Sequence, residues 1–154
     1  MKKNIDVIIY VFSLFLIAFG GIIYIFFRPH NLLFWSFLRL IDIEKYFPYI
    51  VLNNSSRFLS FVIYSLPDGL WELSVLCILG LIFCNKLKYF VLTASIFLVF
   101  SILMEVSQYY KIIAGTFDLL DILVLFISYL IGILIYFIHR SFVYDKKMEI
   151  NSIN

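Results

Sequence analysis

Residues 5–27 read IDVIIYVFSLFLIAFGGIIYIFF and run into Arg28-Pro29-His30. At 1.5 Å rise per residue, a run of about 20 apolar residues crosses the hydrocarbon core of a bilayer, and this one is long enough. Its single charge, Asp6, stands at the first turn, where headgroups and water can solvate it. The proline ends the run because it lacks an N–H and disfavours helix at the preceding residue. Working outward, three more apolar runs cover residues 66–84, 87–109 and 117–138. The fold expected is all-α: a single membrane domain over residues 1–154, a polytopic transmembrane bundle with about four spanning helices. The second span is near the short limit, which predicts tilt or local thinning.

Composition agrees with that reading. The chain is 64% apolar with a mean hydropathy of +1.03, against roughly 45–50% apolar residues in soluble domains. A 154-residue soluble domain could not bury so much apolar surface, so the expected partner is the lipid bilayer. The net charge of +2 is too small and dispersed for a nucleic-acid partner. Met1-Lys2-Lys3 before the first run looks like a secretory signal, but the run exceeds the usual ~7–15 residue signal core and no small-x-small site follows it. It reads as a retained signal anchor. Cys77 and Cys84 read as small buried hydrophobes.

The segment 31–65 differs from the spans. It is aromatic but interrupted by Arg39, Asp42, Glu44, Lys45, Pro48 and Arg57, and its two apolar pieces, 31–41 and 57–64, are too short to cross. That composition predicts short interfacial helices or a re-entrant piece between the first two spans. Lys2, Lys3, Lys86, Lys88, Arg140, Lys146 and Lys147 fall on one side of such a bundle. The positive-inside rule then gives a multi-pass cell-membrane protein with both termini inside and residues 140–154 as a cytoplasmic tail.

Threading the helices up and down gathers the acids. Asp68 and Glu72 start the second span, Glu105 and Gln108 end the third, and Asp118 and Asp121 start the fourth. All six fall at the same membrane face, the outer one by this topology, and the spacings i,i+3 and i,i+4 place each pair on one helical stripe. Ser101 extends the stripe of Glu105. A charge costs ~2.5–3.5 kcal/mol at the bilayer centre and less near its edge, so these groups should face one another or a wet cavity. Asp68 and Asp118 also suit first-turn capping roles, as do Ser65 and Thr116. Glu105 lies near a helix C-terminus, where the dipole opposes an anion. Close carboxylates need protons, a cation or basic partners, and Arg28, His30, Arg39, Arg57 and Lys111 share their side.

No catalytic signature accompanies the acids. His30 and His139 fall on opposite faces, and neither a phosphate-binding glycine loop, nor G-x-S-x-G, nor H-E-x-x-H is present. No His/Cys spacing supports zinc. No resident cofactor is expected, although oxygen ligands of this kind can hold a divalent cation. Gly20-Gly21 and Gly132 read as helix-packing positions.

Met104-Glu105-Val106-Ser107-Gln108, followed by Gly115-Thr116-Phe117-Asp118-Leu119-Leu120-Asp121 and an apolar helix with Gly132, resembles the VanZ-like family of small bacterial membrane proteins, named after a teicoplanin-resistance factor. Glu105, Gln108, Asp118 and Asp121 match its Glu-x-x-Gln and Asp-x-x-Asp pairs. Gly115, Leu125 and Ser128 stand where that family carries Arg, Asn and Gly. The resemblance covers roughly residues 67–132 and implies a role in the bacterial cell envelope, with a lipid or glycopeptide-like ligand. Three readings are open. The first is an acidic pocket of Asp68, Glu72, Glu105, Gln108, Asp118 and Asp121 that binds a polar headgroup, a cation or a peptide-like ligand. The second is an intramembrane hydrolase or transferase on a lipid-linked substrate, using Glu105 or Asp121 as base or cation ligand. The third is a structural partner whose acids pair with Arg39 or Arg57.

Overall fold

A computed structural model describes residues 2–28, 35, 39–40, 46–47, 50 and 56–153 of the chain. Among them the protein is all-helical: α1 (Lys2–Phe27), α2 (Arg57–Tyr64), α3 (Leu66–Ile82), α4 (Leu87–Tyr109) and α5 (Leu119–Ile153). Three of these helices contain stretches long and apolar enough to cross a membrane, Asn4–Phe27, Leu87–Tyr109 and Leu119–Phe142. A fourth crossing is completed only if α2 and α3 together form one span, bent by 41° between them. The second apolar run, expected over 66–84, forms a helix over Leu66–Ile82 that meets α2 at the bend.

The break has a local cause. Pro67 has no N–H to offer the carbonyl of Ile63, and its ring crowds that turn. The backbone bond Ser65 N–H to Phe61 O, 3.0 Å, closes α2 immediately before it. Ser56 caps the other end of α2 by accepting from Leu59 N–H. Most of the expected interfacial segment 31–65, including 31–34 and 41–45, lies outside the described residues. Its described part includes α2 and a fold-back onto α1, where Ile50 N–H donates to Phe26 O.

Contacts between helices give the order of threading. Ser74 donates to Ser13 O and Trp71 Nε1 to Ile17 O, while Arg28 meets Asp68, so α1 and α3 are antiparallel. Gly69 lies against Val124 and Ser128, and Gly132 against Leu76, so α3 and α5 run the same way. Ser101 of α4 reaches Glu72, and Ser95 reaches Tyr129, so α4 opposes both. Helix α3 is the central one, packed extensively on α1 and α5 and more sparsely on α4.

Two apolar clusters hold it there. Leu76, Phe90, Ala94 and Tyr136 join α3, α4 and α5; Leu16, Leu73 and Cys77 join α1 and α3. Cys77 is thus the small hydrophobe the sequence suggests, and both thiols are free. The outward faces of α1, α4 and α5 expose residues such as Phe15, Ile22, Ile96, Phe100, Leu123 and Phe126, which lipid would cover. Lipid tails give little hydrophobic drive to helix association, so close packing at small residues must supply it. Gly20 admits the Trp71 indole, with Nε1 2.9 Å from the place of a Cβ, whereas nothing lies near Gly21.

Helix α5 begins at Leu119, not at 117, because Asp118 sits just outside it: Oδ1 accepts from Leu120 N–H and the backbone carbonyl from Asp121 N–H. No Gly or Pro follows Gly132, and the helix continues through Ile153, so the expected tail 140–154 is largely helical. At the lysine-bearing end, the Tyr136 hydroxyl donates to Phe83 O and Cys84 O at 3.2 and 3.3 Å, satisfying carbonyls left open where α3 ends. Tyr136→Phe keeps the ring stacked on Phe90, 3.9 Å between centroids, and removes the hydroxyl that makes those bonds. It is expected to cost about 1 kcal/mol in reversible unfolding by sodium dodecyl sulfate titration.

At this same end Asp6, half-buried, lies 2.7 Å from His139 Nε2. His139 is buried.

Candidate functional site

The opposite end carries the acids. Three of them come from two helices that run in the same direction and one that opposes them. Asp68 of α3, Glu105 of α4 and Asp121 of α5 each place a carboxylate oxygen within 4.8 Å of the others. Glu105 is 6% exposed and Asp121 4%. Two unit charges at that separation repel by about 3 kcal/mol even at an effective dielectric of 20. The cluster therefore requires positive charge or protons.

Part of that requirement is met from α1. Arg28 Nη2 contacts Asp68 Oδ2 at 3.0 Å and also donates to Tyr64 O, while its guanidinium lies 5.4 Å from the ring centroids of Tyr24 and Tyr64. The bend at Ser65 makes this possible, because it turns the last carbonyls of α2 toward Arg28. Ser65 itself is buried and makes no cap bond with its side chain; that side chain instead interacts with Asp121. Its expected capping role is corrected accordingly.

Glu72 stands one turn deeper and is not part of the three-acid cluster. It is 1% exposed; Oε2 accepts from the Ser101 hydroxyl at 3.0 Å and Oε1 has no partner among the described residues. Glu105 Oε1 accepts from Gln108 Nε2 at 3.2 Å, while Glu105 Oε2 and Asp121 Oδ1 also lack partners there. Gln108 is in turn seated by Gly115, since a Cβ at Gly115 would strike the Gln108 side chain. Gln108 thus positions Glu105. Asp118 is exposed, and its Oδ1 accepts from Leu120 N–H at the start of α5, the capping geometry its position suits.

Between α3 and α4, Asp68, Glu72 and Glu105 open onto a cavity of about 170 Å³, with Asp121 behind it, beside Asp68 and Glu105. Asp68, Glu72, Ser101 and Glu105 form its polar part; Trp71, Phe97, Phe100, Met104 and Leu125 form the rest. Three carboxylates thus converge beside one guanidinium, and a fourth, Glu72, lies one turn deeper on the same cavity. An all-oxygen donor set suits a hard cation, and oxygens this close fall within the span of one ion with bonds of about 2.3–2.6 Å. It also suits any ligand that brings N–H donors, since ionised carboxylates only accept.

The sequence brought Asp68, Glu72, Glu105, Gln108 and Asp121 to one end, and the structure assembles them there. The sequence placed Arg28 among the basic residues on that side without singling it out as the ion partner of Asp68. The signal was present: Arg28 ends the first span on the acidic side, at the membrane depth of Asp68. The aromatic wall was not legible, because Trp71, Phe97 and Phe100 look like any lipid-facing residue in sequence.

Fold and helix composition together define a multi-pass α-helical integral membrane protein. No protein-family model, curated protein or solved structure matches the chain.

Proposed function

We propose that this membrane protein binds a cationic ligand in the acidic cavity between α3, α4 and α5. The observation that carries the reading is the convergence of Asp68, Glu105 and Asp121 within 4.8 Å, with buried carboxylate oxygens that no described residue satisfies. Such oxygens cost free energy unless something donates to or coordinates them. Arg28 compensates Asp68 and leaves Glu72, Glu105 and Asp121 for the ligand. The lysines at the far end favour an orientation with both termini in the cytoplasm and the cavity near the outer face. The matching pairs Glu105/Gln108 and Asp118/Asp121 support placing the protein among VanZ-like envelope proteins.

Manganese is a suitable probe, since its hard, oxygen-seeking chemistry fits the donors and it is followed by electron paramagnetic resonance. The purified protein in a nonionic detergent should bind Mn²⁺ saturably, one ion per chain. The double variant Glu105→Gln/Asp121→Asn keeps the shape and removes two charges. It is expected to weaken binding at least about thirtyfold, as loss of two charged ligands should, while eluting as the native protein in size exclusion. No saturable site, or an unchanged site in the double variant, would sink the reading.

A further inference from the structure

We infer that the cation for which the cavity is built is the primary ammonium of a membrane amphiphile, which enters sideways from the bilayer between α3 and α4. This rests on the proposed cation-binding role and names its ligand.

The argument begins with how α4 is held. Its buried positions are Phe90, Ala94, Leu98 and Glu105. The first three form a helical stripe, of which Phe90 and Ala94 pack in the α3 and α5 core; beyond Leu98 no position is fully buried until Glu105. In that interval Phe97, Phe100, Ser101 and Met104 line the cavity, and Ser101 reaches across it to Glu72 of α3. Phe100 is 58% exposed on the lipid-facing side, so the cavity wall is continuous with the surface that lipid covers. A solute in the bilayer can therefore reach the acids without passing through water.

The lining then selects the solute. At its polar end the cavity holds Glu72 and Glu105, both more than nine-tenths buried and each with one oxygen lacking a donor. The ligand must supply N–H or O–H groups, and positive charge is favoured over neutral donors. The remaining wall is aromatic, Trp71, Phe97 and Phe100, and ring faces attract ammonium groups. A bare divalent ion has no use for such a wall. A primary ammonium has three donors on one compact charge, whereas a quaternary ammonium has none to give the two open oxygens. The volume of about 170 Å³ is of the order of the ~150 Å³ cavity that admits benzene, enough for a small head and the start of its tail. Trp71 closes the opposite side, pinned by its bond to Ile17 O.

The chain has two tryptophans, so Trp35→Phe leaves Trp71 as sole reporter at the cavity. That variant, reconstituted in bilayers, is titrated with chain-brominated phosphatidylethanolamine or phosphatidylcholine, which differ at the head only in N-methylation. The ethanolamine lipid should quench Trp71 with a relative association constant about fivefold higher, the scale of one net hydrogen bond. Glu72→Gln/Glu105→Gln should bring the ratio close to one. Native mass spectrometry of the wild type with the two lipids repeats the comparison without any substitution. Equal quenching and equal retention of both lipids would overturn the inference, as would a preference that survives in the double variant. If Mn²⁺ binds saturably while the lipids show no preference, the ligand assignment fails and the cation-binding role stands; if neither is seen, both fall.

Discussion

Arg28→Leu is expected to be the most damaging single charge removal in the protein, lowering the free energy of unfolding by about 3 kcal/mol. Removing one partner of a buried ion pair costs roughly 3–5 kcal/mol because the other charge is left behind. Asp68 is 22% exposed, which places the effect at the low end of that range. The loss is compounded by the neighbourhood. Without the guanidinium, Asp68 faces Glu105 and Asp121 with no described counter-ion, and Tyr64 O loses its donor. The companion experiment separates charge from shape: Arg28→Leu/Asp68→Leu removes both members and should recover most of the stability, since replacing a whole buried pair by apolar groups is often neutral. Both are read by reversible unfolding in mixed micelles. If the double variant is as unstable as the single one, the pair is not what holds α1 to α3 at this end.

The second large effect is expected at Gly69. A Cβ there would overlap Val124 Cγ1 and approach Ser128 Oγ to 2.8 Å, so the two helix backbones are as close as their side chains permit. Gly69→Leu must push α5 away from α3, and overpacking of this kind costs about 1–3 kcal/mol. The consequence is also positional. Asp68 immediately precedes Gly69 on α3, and Asp121 lies one turn before Val124 on α5, so the displacement separates Asp68 from Asp121. The variant should therefore lose Mn²⁺ binding as well as stability. Gly132→Leu strikes Leu76, with Cβ 2.7 Å away, but far from the acids; it should destabilise comparably and disturb the site much less. A Gly69→Leu protein that binds Mn²⁺ as well as Gly132→Leu does would refute the link between crossing and cluster.

Much of the architecture was legible because a bilayer leaves a chain few choices. Backbone groups in hydrocarbon must be satisfied internally, so apolar runs of sufficient length become helices, and polarity alternation then fixes which ends coincide. That logic brought residues 68, 72, 105, 108 and 121 together. It failed where composition has no period. The bend at Ser65 required knowing that Pro67 breaks a span rather than merely opening one, a proline being equally at home in a first turn. Asp118 carried the same motif as Asp121, and only the position of the helix start separates a cap from a buried acid. His139 and Asp6 were read singly because they lie 133 residues apart, beyond the reach of any local pattern.

Arg28 leaves the ribosome 40 residues ahead of Asp68. At about 5–20 residues per second, that interval is roughly 2–8 s. Throughout it the guanidinium must rest near the membrane edge, where water and headgroups can hold it. The acids arrive in sequence afterwards, Asp68, then Glu105, then Asp121, so each newly inserted helix adds negative charge to a place already marked by a positive one. Assembly order thus resembles templating: the first helix carries the address to which the later three are drawn.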